Sequence, residues 1–202
     1  MDHKQYFNDG SDFGVKINYN YESELLNTAG ALIPFLDIIS DDPFLESGPM
    51  TDIEKRLEEL SITLPAPPSA LGTYVGAVTT GNLVFISGHG TAKPDGSYVA
   101  GKVPTECSEE QAYQAARLVG LNVLATLKNH LGDLDRVQRV VKVLGMVNAE
   151  PTFVNHPGVI NGFSDLMVEV FGEAGRAARS AVGMGSLPMN IPVEVEMIVE
   201  IR

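Results

Sequence analysis

The segment Pro192 to Ile201 constrains the fold more than any other part of this chain. Its strict alternation sends Val193, Val195, Met197, Val199 and Ile201 to one side and Glu194, Glu196 and Glu200 to the other. Successive side chains of a strand point to opposite faces, so this is a strand with one apolar and one acidic face. The apolar face needs a covering layer. The acidic face needs solvent, a ligand or a partner subunit.

The covering layer can be read upstream. Ser108-Glu109-Glu110-Gln111 is a capping box, and it opens a helix whose Ala112, Ala115, Ala116, Val119, Val123, Leu124 and Leu127 share one face. Gly132 supplies the left-handed residue that ends it. A second helix runs from Pro157 to Phe171 and closes at Gly172. Between them, Val137 to Asn148 has the β-branched content of a buried strand. Three more strands form a meander before the first of these helices: Thr73 to Thr79, Leu83 to Ser87 after the Thr80-Gly81-Asn82 turn, and Tyr98 to Val103 after Pro94-Asp95-Gly96. A short amphipathic helix precedes them, with Thr51-Asp52-Ile53-Glu54 as capping box, Ile53, Leu57 and Leu60 at helical spacing, and Pro65, Pro67 and Pro68 ending it. From the meander onward the order β-β-β-α-β-α-β predicts an α+β fold, a mixed sheet with two helices packed on one face. The other face is then solvated or covered by a partner subunit.

Length and charge bound the rest. The 202 residues suffice for one domain and an appendage. A net charge of −12 repels phosphate backbones, and no Lys/Arg run offsets it, so nucleic acid is disfavoured as a partner. Apolar stretches are broken well short of a membrane span, and Asp2 stands where a targeting signal would be basic, so we expect a cytoplasmic protein without membrane contact. Cys107 is the single cysteine and is read as structural. His3, His89, His130 and His156 lack metal-ligand spacing, so no metal is assigned.

The first 49 residues stand apart, with nine acidic against two basic side chains. Through Tyr6-Phe7, Asp9-Gly10-Ser11, Phe13-Gly14-Val15-Lys16-Ile17 and Leu25-Leu26-Asn27-Thr28-Ala29-Gly30-Ala31, this stretch resembles an internal piece of a sugar-phosphate nucleotidyltransferase. The glycine-rich nucleotide loop and the metal-binding acids of that family are missing. Residues 1–49 are therefore read as an acidic extension without its own core, and Met50 as a natural start.

The segment Ala177-Ala178-Arg179-Ser180-Ala181-Val182-Gly183, then Leu187-Pro188 and Val193-Glu194-Val195-Glu196, resembles the C-terminal signature of the reactive-intermediate deaminase (Rid, or YjgF-like) family. Leu71-Gly72-Thr73-Tyr74-Val75, Ile86-Ser87-Gly88 and Val159-Ile160-Asn161-Gly162-Phe163 join it in the family's order. The resemblance spans residues 50–202 and leans toward the branch named for endoribonuclease L-PSP and chorismate mutase-like domains. It implies a chorismate mutase-like homotrimer with ligand pockets between subunits. It also implies cofactor-free hydrolysis of reactive enamines and imines, such as 2-aminoacrylate, to 2-keto acids and ammonia.

On that resemblance, Arg179 grips the carboxylate of a small-molecule ligand, a task suited to a planar guanidinium fork. Glu194 handles the attacking water and its proton, and Tyr74, Ser87 and Asn161 line the pocket. Three features depart from the deaminase pattern: His89 stands where glutamine is common, Ala181 where cysteine is common, and Asn155-His156-Pro157-Gly158 is inserted before the second helix. Two other functions are carried alongside: a non-catalytic trimer that binds a keto acid, and an endoribonuclease.

Overall fold

The computed structural model describes residues 53–70 and 72–202. The expectations for residues 1–49, for a start at Met50 and for the Thr51-Asp52 half of the first capping box fall outside these residues. The main elements are α1 (Ile53–Glu59), β1 (Ala77–Thr80), β2 (Leu83–His89), α2 (Glu109–Leu131), β3 (Val137–Asn148), α3 (His156–Phe171), β4 (Ala178–Met184) and β5 (Val193–Ile201). The five strands form one mixed sheet in the order β1-β2-β5-β3-β4, parallel only between β3 and β4.

β5, the last strand in the chain, is the middle strand of the sheet. Its alternation divides as the sequence predicts: Val193, Val195, Met197, Val199 and Ile201 are all buried, while Glu194, Glu196, Ile198 and Glu200 point to the opposite, more open face. The buried set lies under α2 and α3. α2 begins at its capping box, with the Ser108 hydroxyl accepting from the Gln111 amide and the Gln111 side chain accepting from the Ser108 amide. It ends at Gly132, at φ 81°. All seven positions expected on its core face are buried.

Two glycines let the helices approach closely. A Cβ on Gly162 would collide with the Tyr113 carbonyl, and one on Gly120 would meet Leu166. Phe163, Leu166 and Met167 of α3 fill the space behind this contact with no exposed surface. α1 docks at the other end, where Asp135 accepts from the Ile53 amide at 2.5 Å and Glu54 pairs with Lys128 at 2.5 Å. Among the described residues no helix is long and apolar enough to cross a membrane.

Three expectations need correction. Tyr98 to Val103 is not a strand, only a pair of isolated bridges, Ala92 to Tyr98 and Val103 to Ala149. Its amides are shared among three neighbours: Val99 donates to Thr91, Gly101 to Asn190 and Val103 to Asn148. A ladder cannot form where successive amides serve different segments. Ala178 to Met184, conversely, is a full edge strand paired with Lys142 to Asn148. The first meander strand is also shorter, since the chain turns at residues 72–76 before β1 begins at Ala77.

Candidate functional site

The site begins with an irregularity in β2. Ile86 pairs with Met197 but His89 pairs with Val195, so β2 carries one residue more than β5 across this interval. Such a bulge re-aims the side chains beside it. Ser87 and Gly88 both come to lie off the buried face, and Glu194 packs its carboxyl group directly over Gly88, where a Cβ would collide with it. Only glycine at position 88 leaves room for that seat.

Glu194 opens into a cavity of about 130 Å³, with Tyr74, Tyr98, Met189 and Ile191 among its walls. Burial raises its pKa above the ordinary glutamate value, and repulsion from Glu196 adds to the shift. Among the described residues no cation lies within ion-pair distance of it. A carboxyl group so placed holds a proton more readily than an exposed one, which suits a part in proton transfer.

His89 borders the same cavity but is not a free base. It is buried, its Nδ1–H donates to the Ser87 carbonyl at 2.6 Å, and its Nε2 accepts from the Thr126 hydroxyl at 2.7 Å. Burial lowers its pKa, outweighing the Ser87 hydrogen bond, and keeps the ring neutral. The imidazole therefore ties the bulge to α2. Ser87 donates its hydroxyl to the Val75 carbonyl at 2.7 Å and lies on the open sheet face, beside Phe85 and Glu196, outside the Glu194 cavity.

Arg179 lies elsewhere, on edge strand β4. Its Nη1 donates to Asn161 Oδ1 and to Ser164 Oγ, both at 2.9 Å, and its Nη2 to the Pro157 carbonyl at 3.5 Å. Every one of these acceptors is neutral. Among the described residues no carboxylate pairs with Arg179, whereas Arg56, Arg117 and Arg176 each have one. The inserted segment takes part in this arrangement. Asn155 caps α3 by accepting from the Gly158 amide and donates to Glu109 of α2, and the Pro157 carbonyl meets the guanidinium.

The five residues singled out in the sequence thus fall in three places within one chain. Tyr74 and Glu194 share the cavity, Asn161 and Arg179 are bonded at the sheet edge, and Ser87 is on the open face. Sequence reasoning missed Ser164, Tyr98 and Met189. Ser164 follows Asn161 by three residues on a helix, a spacing that puts both on one face and could have flagged it.

A mixed sheet with two long helices on one face, a half-buried glutamate over a bulge glycine and an arginine whose partners among the described residues are all neutral define a YjgF-type α+β domain. The chain belongs to the family described as YjgF/chorismate mutase-like, putative endoribonuclease, whose model matches residues 54–201. It is 39% identical over 151 residues to protein TCP17 of Trypanosoma cruzi, covering 74% of this chain and 94% of that one. It is 31% identical to a 2-iminobutanoate/2-iminopropanoate deaminase of Dermatophagoides farinae, covering 70% of this chain and 95% of the relative. A crystal structure of a putative endoribonuclease from Shewanella oneidensis MR-1 superposes with a TM-score of 0.71 at 31% identity, over 74% of this chain and 99% of that one.

Proposed function

We propose that this protein is a cofactor-free deaminase that hydrolyses small 2-imino acids in clefts shared by neighbouring subunits of a homotrimer. The observation that carries this reading is the charge state of Arg179. It is an ordered guanidinium held by three neutral acceptors, so its positive charge is left to meet an anionic group from outside. A ligand carboxylate matches that charge and its geometry.

The reading also needs a second chain. Among the described residues no Lys or Arg lines the Glu194 cavity, and Arg179 borders a different depression beside Ser164. One small molecule can reach both groups only if the sheet edge of one subunit closes over the cavity of the next. Phe85, Val78 and Val182 on the open sheet face, 42%, 53% and 40% exposed, supply apolar surface for such an interface.

In the reaction, water adds to the imine carbon while Glu194 takes its proton and delivers it to nitrogen. The C–N bond of the resulting carbinolamine breaks as the hydroxyl becomes the carbonyl, and ammonia leaves. Atoms and charge balance without an oxidant or cofactor. Imines hydrolyse unaided, so holding the substrate and aligning the water can supply most of the acceleration.

The test is to generate 2-iminobutyrate in situ and follow its loss with wild type and with Arg179→Ala. Removal of a two-pronged charged clamp is expected to lower kcat/KM on the order of 10²-fold or more. Equal rates would remove the catalytic claim. Binding of 2-ketobutyrate without acceleration would select a regulatory trimer instead, and RNA cleavage that persists through further purification would select the nuclease.

A further inference from the structure

Resting on the deaminase reading, we propose that Met189 is the specificity-determining wall of the Glu194 cavity, selecting 2-imino acids whose side chain is uncharged, apolar and several carbons long. The argument starts from the backbone. Met189 and Asn190 both stand at φ 55°, in the left-handed region that unbranched and branched side chains alike avoid and that asparagine tolerates best. Two consecutive residues in that region persist only where the surroundings hold them.

Asn190 provides the hold. Its Nδ2 donates to Glu106 Oε2 at 3.0 Å, its Oδ1 accepts from Asn148 Nδ2 at 3.0 Å, its carbonyl accepts from the Gly101 amide at 2.7 Å, and its own amide donates to the Leu187 carbonyl at 3.2 Å. Three of these bonds reach outside the turn, to the loop at residues 101–106 and to Asn148 of β3, and they fix it in space. What the turn achieves is to bring the Met189 side chain, 47% exposed, to the cavity beside Pro188 and Ile191.

The chemistry of the lining sets the class of ligand. Ala70, Ala92, Pro188, Met189 and Ile191 are apolar, Tyr74 and Tyr98 present rings, and Glu194 is the only carboxyl group among the described lining residues. An acidic substrate side chain would enter against Glu194, and among the described residues lining the cavity no Lys or Arg is there to receive it. A methyl side chain would leave the apolar wall unfilled. A flexible thioether can follow the outline of a branched or linear alkyl group.

Imines generated in situ from alanine, leucine, phenylalanine and glutamate test the assignment. Wild type should favour the leucine-derived imine over the alanine-derived one by roughly tenfold and over the glutamate-derived one by more. Met189→Ala should shift preference toward the phenylalanine-derived imine by roughly tenfold, and Met189→Phe should lower the leucine-derived rate relative to the alanine-derived one by a similar factor. Asn190→Gly keeps the left-handed backbone but removes both side-chain bonds. As a positioning change, it should flatten the leucine-to-alanine ratio through KM and leave kcat for the alanine-derived imine unchanged.

Unaltered ratios in both Met189 variants of an active enzyme would overturn the assignment and leave the deaminase reading standing. Calorimetry with the 2-keto acids of leucine and alanine separates the opposite case. Keto-acid preference that moves with Met189 in a protein without turnover would sink the deaminase reading and keep the wall; preference that does not move would sink the wall as well.

Discussion

The two faces of the sheet use similar side chains to different ends. Beneath the helices, Val84, Val143, Met197 and Val199 are at most 2% exposed, and the chain satisfies its own apolar surface completely. On the other side, Phe85, Val78 and Val182 remain two-fifths exposed or more, among Ser87, Glu194 and Glu196. One face is finished by folding. The other mixes apolar area with the groups a ligand would meet, the composition expected of a surface that another chain completes.

The contrast can be broken from either side. Phe163→Ala removes a wholly buried ring between α2 and α3, and urea denaturation should register a loss of about 3–5 kcal/mol. Phe85→Glu should cost less than about 1 kcal/mol by the same measurement, because the ring is already partly in water. Its effect should appear in light scattering, as loss of the proposed trimer. A Phe85→Glu protein that unfolds as readily as Phe163→Ala, or that assembles as fully as wild type, would erase the distinction between the faces.

The smallest effect concerns Glu194. Burial raises its pKa in the fold, with Glu196 adding to the shift, so the folded state binds the proton more tightly than the unfolded chain. Stability from this group is greatest at low pH and declines as pH rises from roughly 4.3, the free value, through the raised one. Glu194→Gln removes the decline. Its melting temperature should exceed that of wild type near pH 7 by on the order of 1 °C and match it below pH 4. A difference that does not change with pH would show that the carboxyl group feels no such burial.

The helix-covered half of the fold was legible in the sequence because its signals are local. The capping box at Ser108, the glycine at 132 and the alternation of β5 each specify their own element within a few residues. β4 was harder to see: Ala178-Arg179-Ser180-Ala181-Val182-Gly183-Met184 has no apolar period, since an edge strand lies against β3 on one side only. Tyr98 to Val103 misled for the opposite reason, with strand-like residues whose amides are claimed by distant segments. At the site, the resemblance carried Arg179 and Glu194 as residues but not as places. That they open on different surfaces depends on strand order, and strand order is not written in any one segment.

The surplus residue in β2 acts as a phase shift along the chain. Before it, even-numbered side chains look toward the helices, as Val84 and Ile86 do; after it the odd-numbered ones do, as His89 and Thr91 show. Deleting Gly88 would restore a regular ladder in which His89 still faces Val195 and the helices, but it would remove the residue beneath the Glu194 carboxyl group. Glu194 would keep its place on β5 yet lose the floor it rests on, so a change that makes the sheet more regular would leave it chemically blank.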